Sequence, residues 1–82
     1  MPTVLTIFGL RVVIYLNDHR PAHVHVLGNG CEAVFDLRCP RGPLELRENF
    51  GFMQKELGRI AVELVNETEH LCTKWRAIHG HF

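Results

Sequence analysis

The hydrophobic period of this chain changes once, and that change decides the fold class. Up to about residue 46 apolar residues recur at every second position; over residues 54–79 they recur every 3.6. A period of two sends side chains alternately to the two faces of a strand, whereas 3.6 lays them along one side of a helix. Leu57, Ile60, Ala61, Leu64, Val65, Thr68, Leu71, Cys72, Trp75 and Ile78 form one stripe. Lys55, Arg59, Glu63, Glu67 and Lys74 form the opposite face, and Gly80 ends the run. Strands first and a helix last predict an α+β fold: an antiparallel sheet of four to five strands (residues 3–46) packed on one long C-terminal helix (residues 54–79). With 82 residues there is room for a single domain, residues 1–82, and one modest core.

The strands are read from their punctuation. Residues 3–8 and 10–16 are rich in β-branched and aromatic side chains, with Gly9 between them. Residues 17–21 are a polar turn, residues 22–27 and 31–37 alternate, and residues 44–46 form a short fifth strand after a loop rich in proline. Asn29-Gly30 is the hairpin dipeptide of a type I′ turn, which needs φ > 0 at both positions. If it is the turn, Val26 faces Ala33, Val24 faces Phe35, His25 faces Val34 and His23 faces Asp36. A slip of one residue would pair core with solvent positions. The same exercise across residues 17–21 sets Val12 beside Val26, Ile14 beside Val24, Val13 beside His25 and Tyr15 beside His23. The expected core is Ile14, Val24, Val26, Phe35, Leu57, Ile60, Leu64 and Leu71.

A helix over residues 54–79 would span about 39 Å at about 1.5 Å per residue. Five strands about 4.8 Å apart cover only about 24 Å. The helix must therefore bend near residues 66–68, where propensities are weak, or let Trp75 and Ile78 overhang. Overhanging residues would need a homodimer or another protein to cover them.

Composition narrows the functional classes. Nine basic and nine acidic residues leave no excess positive charge, so non-specific nucleic-acid binding has no support in the overall balance. No apolar run reaches the length of a membrane span, and residues 4–10 are too short and interrupted for a signal peptide. The cysteines, Cys31, Cys39 and Cys72, are odd in number and lack CxxC spacing. No disulfide framework is expected, the cytoplasm is the expected location, and Cys31 and Cys72 are expected as buried thiols.

Six histidines are many for so short a chain, and three of them carry the candidate site. The registers place Tyr15, His23 and Asp36 in one cross-strand row, about 5 Å apart, with His25 alongside and His19 in the adjoining turn. An imidazole oriented by a carboxylate, with a phenol beyond it, is a candidate acid–base arrangement, so Tyr15, His23 and Asp36 are the catalytic candidates. His19, His23 and His25 are the candidate ligands of a divalent metal such as zinc, with Asp36 as a further donor. The plainer alternative is two ordinary, partly exposed imidazoles on a strand face. Arg38, Arg41 and Arg47, beside Asp36, Glu45 and Glu48, read as a solvated rim rather than a phosphate site. The Met-Pro-x-Val start is similar to that of the small tautomerases, but those enzymes follow the first strand with a helix, and here a second strand follows.

Asn17-Asp18-His19-Arg20-Pro21-Ala22-His23-Val24-His25-Val26 resembles the signature of a bacterial family of short proteins known only as a domain of unknown function, usually Asp-His-x-Pro-Pro-His-x-His. Gly9-x-Arg11, Glu32-Ala33-Val34-Phe35-Asp36 and Trp75 are similar too, while Ala22 stands where the family has a second proline. The resemblance implies a neighbouring gene for another small protein, as in a toxin–antitoxin pair, hence a protein partner and an RNA-related role. It implies no reaction. The first functional expectation is accordingly an interaction component of such a two-gene module, favoured by Val4, Phe8, Val13, Tyr15 and Val34 on the face away from the helix. The alternatives are a histidine-dependent hydrolase or ribonuclease, and a metal-binding regulator.

Overall fold

A computed structural model describes residues 3–82. Met1 and Pro2, and with them the Met-Pro start, lie outside the described residues. Five strands, β1 (Thr3–Ile7), β2 (Leu10–Val13), β3 (His23–Gly28), β4 (Cys31–Asp36) and β5 (Glu45–Phe50), form one antiparallel meander in chain order. Two helices follow, α1 (Gln54–Asn66) and α2 (Thr68–His79). Both tight hairpins use residue pairs with positive φ: Phe8 and Gly9 at 51° and 76°, Asn29 and Gly30 at 53° and 74°. That pairing of dihedrals twists the hairpin in the same sense as its strands.

The registers follow. Val12 pairs with Val26, Val13 with His25, Val24 with Phe35, Val26 with Ala33 and His23 with Asp36. One face of the sheet supplies Val12, Ile14, Val24, Val26, Ala33, Phe35 and Leu37 to a core that Ile60, Leu64, Leu71 and Trp75 complete from the helices. Of the expected core residues, only Leu57 is partly rather than fully buried.

The single long helix is instead two. Glu67 leaves the helical region (φ −110°, ψ 8°), and its N–H turns back to the Leu64 and Val65 carbonyls. The Thr68 hydroxyl lies 3.1 Å from each of the same two carbonyl oxygens and donates to them. A side chain that competes for main-chain acceptors in this way favours a helix end over a helix interior. Of the two ways to meet the length mismatch, a bend near residues 66–68 or an overhang, the chain takes the first, and Trp75 is fully buried within its own chain. It needs no partner to cover it.

Three further expectations give way. The fifth strand is six residues long rather than three. Every residue of β5 is exposed, so its sequence shows no alternation. Cys39 and Cys72 form a disulfide across 33 residues of sequence, and only Cys31 is a free thiol, half-buried rather than buried. Spacing in the sequence had argued against pairing; what permits it is a Cα–Cα separation of 5.7 Å between the proline loop and α2. With that bridge present, cysteine count no longer argues for a reducing compartment. Finally, Val13 and Val34 are not a surface patch. They flank His25 in one cross-strand row and are buried. Among the described residues no helix is long and apolar enough to cross a membrane.

Candidate metal centre

The turn between β2 and β3 carries the first component. Asp18 sends its N–H to the Tyr15 carbonyl (3.1 Å) and accepts the Tyr15 N–H on Oδ2 (2.9 Å). An aspartate tied to the main chain three residues back is a side-chain-closed turn, which fixes the carboxylate with little rotamer freedom. Its other oxygen, Oδ1, is directed at β3. There it meets Nε2 of His25 at 3.3 Å and Nε2 of His23 at 3.4 Å.

Both imidazoles are held from their far sides. Nδ1 of His23 donates to the Pro21 carbonyl (2.8 Å), and Nδ1 of His25 is hydrogen-bonded with Oε2 of Glu32 (3.0 Å). The Pro21 carbonyl only accepts, so Nδ1 of His23 carries a proton and its Nε2 faces Asp18. His25 sits between two carboxylates, Glu32 at Nδ1 and Asp18 at Nε2 (3.3 Å, with hydrogen-bond geometry), and can donate from either nitrogen. Both Nε2 atoms converge on Oδ1 of Asp18. Three electron-rich atoms, one each from Asp18, His23 and His25, thus lie within 4.8 Å of one another. The side chains are 12%, 6% and 15% exposed, so water screens the arrangement poorly. Either extra protons on the rings or a cation between the three atoms relieves it.

Two of the distances suit a cation, and one of them equally suits a hydrogen bond between His25 and Asp18. Zinc bonds histidine nitrogen and carboxylate oxygen at about 2.0–2.2 Å with tetrahedral angles, which places neighbouring ligand atoms about 3.3–3.5 Å apart. The two carboxylate–imidazole separations, 3.3 and 3.4 Å, are of that size, while the three atoms together lie within 4.8 Å of one another. The outer hydrogen bonds, one to a main-chain carbonyl and one to a carboxylate, are the supports that metal-bound histidines ordinarily have. Aromatic rings enclose the centre: Tyr15 packs edge-on to His25 (4.8 Å between centroids), His23 lies 5.2 Å from His25, and Trp75 lies 5.2 Å from His23.

Of the residues singled out in the sequence, His23 and His25 enter the cluster. His19 is exposed and stands outside it. Asp36 is the ladder partner of His23, but its carboxylate turns to the Arg47 guanidinium, an ionic contact without hydrogen-bond geometry. Tyr15 lies beyond the end of β2 and reaches His25 rather than His23. Asp18 is the member of the cluster that the sequence did not single out, although it opens the very motif that carries the histidines; ladder registers describe strand residues and are silent about turns. Along the proline loop, Arg38 pairs with Glu45, whose carboxylate raises the guanidinium pKa through a hydrogen bond and its charge. Arg38 and Arg47 are therefore both neutralised by neighbours.

Fold and site define a small α+β protein in which a five-stranded meander, backed by a broken helix, carries a two-histidine, one-carboxylate cluster at its second turn. A family model described as a domain of unknown function (DUF4160) matches residues 9–76, and the chain belongs to that family. The matched span includes Asp18, His23, His25, Glu32 and Trp75. No curated protein and no solved structure matches the chain.

Proposed function

We propose that this protein binds one divalent transition metal, zinc foremost, through Asp18 Oδ1, His23 Nε2 and His25 Nε2. The observation that carries this reading is the convergence of two imidazole Nε2 atoms on one carboxylate oxygen, with both rings held at Nδ1 from behind. Imidazole with carboxylate suits zinc and its late first-row neighbours better than magnesium or calcium, which prefer oxygen. Three protein ligands leave a fourth position open, the stoichiometry of zinc centres that activate water or take up an outside ligand. Equilibrium dialysis against zinc, followed by elemental analysis, tests the proposal. One zinc per chain is expected, and Asp18→Ala and His23→Ala should each lose it. A wild type that retains no zinc, or a His23→Ala protein that retains it fully, would overturn the assignment.

A second reading, a component of a two-protein module, draws on β5. It is an edge strand, exposed along its whole length, with Leu46, Phe50 and the following Met53 in solvent. Unpaired edges of this kind accept a further strand from a partner. Co-purification with the product of an adjacent gene, lost on Leu46→Lys, is the expected result; recovery of a lone monomer would count against it.

A further inference from the structure

Trp75 links the metal cluster to the disulfide. Cys72 and Trp75 are three residues apart on one face of α2, and both are buried. Cys72 is bonded to Cys39 at the start of the proline loop, while the Trp75 ring rests on His23 and its Nε1–H donates to the His81 carbonyl (2.8 Å). His79 also packs on the indole, at 4.2 Å between centroids. One covalent bond therefore fixes the helix turn that presses on a candidate ligand. Cys39 also lines an open cleft of about 450 Å³ with Pro21, whose carbonyl orients the same imidazole.

We propose that the Cys39–Cys72 disulfide sets the metal affinity of the Asp18–His23–His25 centre by holding Trp75 against His23, so that reduction weakens metal binding. The proposal rests on the metal reading above. Reduction has a route and a balance. A thiolate of an external dithiol reaches the half-buried Cys39 through the cleft and bonds its Sγ, breaking the link to Cys72. Cys72 leaves as a thiolate and takes up a proton. The second thiol of the reductant then displaces Cys39, which is also protonated, and the reductant departs as its own disulfide. Two electrons and two protons enter the protein.

The consequence follows from how His23 is held. Its Nδ1 bond fixes the ring at one edge, and the tilted Trp75 ring (5.2 Å between centroids, 50° between planes) packs beside it and limits its movement. Freed from Cys39, α2 keeps only its packing, and the turn carrying Trp75 gains freedom beside the ligand. Loss of a group that orients a metal-bound histidine typically costs about 10–100-fold in affinity. We place the effect at the lower end, about tenfold, because α2 stays docked through Leu71 and the disulfide does not itself touch the imidazole.

Cobalt(II) is the probe, since its absorption reports both affinity and ligand type. Oxidised wild type should bind one cobalt per chain without a thiolate-to-cobalt band. Cys39→Ser/Cys72→Ser, a permanently open form that contributes no thiolates, should bind the same amount about tenfold more weakly. Trp75→Phe with the disulfide intact should also weaken binding severalfold, and it serves alone if the double variant does not fold. Unchanged affinity in Trp75→Phe or in a folded double variant overturns the coupling. So does tighter binding with a thiolate band in reduced wild type, which would make the cysteines ligands. Failure of oxidised wild type to bind cobalt or zinc at all rejects the metal centre itself, a separate result.

Discussion

Asp18→Asn separates the two jobs of one carboxylate. Oδ2 closes the turn by accepting the Tyr15 N–H, and an amide oxygen can do the same; Oδ1 supplies the negative charge between two imidazoles, and an amide cannot. Metal-free stability should therefore move little, by about 0.5 kcal/mol or less, as for a substitution that keeps its hydrogen bond. The response to zinc should collapse. A ligand that binds only the folded state adds about 2.7 kcal/mol when its free concentration is a hundredfold above Kd. In a domain of this size each kcal/mol raises Tm by about 4–8 °C, so wild type should gain about 10–20 °C. The measurement is a pair of calorimetric melts, with and without zinc, on each protein. An Asp18→Asn protein whose melting point still rises with zinc as far as wild type's does would show that the carboxylate is not a ligand.

Zinc affinity should fall on acidification, because binding needs both Nε2 atoms unprotonated and protons compete for them; the slope of log Kd against pH should approach about two, and a flat profile would exclude the imidazoles. Opening the Cys39–Cys72 bridge frees a loop of 33 residues in the unfolded chain, a loss of about 3.7 kcal/mol on the loop-entropy estimate, readable as a large drop in the urea midpoint. Two glycines should respond with opposite sign. Gly58, inside α1 with open space where a Cβ would go, should gain about 0.5–1 kcal/mol as alanine. Gly51, at φ +98° with Sγ of Cys31 2.9 Å from that same point, should lose about 1–3 kcal/mol; equal urea midpoints for the two alanine variants would contradict this.

What could be read from the sequence, and what could not, divides along physical lines. The β3–β4 register was legible because Asn29-Gly30 fixes the turn and the core-facing Val24 and Val26 then meet Phe35 and Ala33. The β2–β3 register was legible because it sets Val12 beside Val26 across the turn, whereas the helix was expected as one: its length against so narrow a sheet left a bend and an overhang equally open. The full length of β5 was hidden, since an edge strand with neither face covered has no need of alternation. The disulfide was hidden because pairing depends on where a loop and a helix meet, which spacing along the chain does not encode. At the site, strand registers placed His23 and His25 correctly on one face but also nominated Asp36. The ladder does set Asp36 opposite His23; side-chain choice then gives its carboxylate to Arg47 and leaves the imidazoles to Asp18. A turn aspartate whose own N–H and Oδ2 both answer to Tyr15 is recognisable only once the backbone is known.

All three proposed ligands lie within eight consecutive residues, Asp18 to His25. A site so local closes a short loop and carries a small closure entropy, so it can assemble as soon as that stretch of chain exists. During synthesis the turn and β3 emerge long before α2, and a metal ion held there would favour the β2–β3 pairing while the rest of the protein is still unmade. Capture at that stage would be loose. The late arrival of Trp75 would then tighten the grip on an ion already bound, and the order in which the chain is made would become the order in which the centre matures.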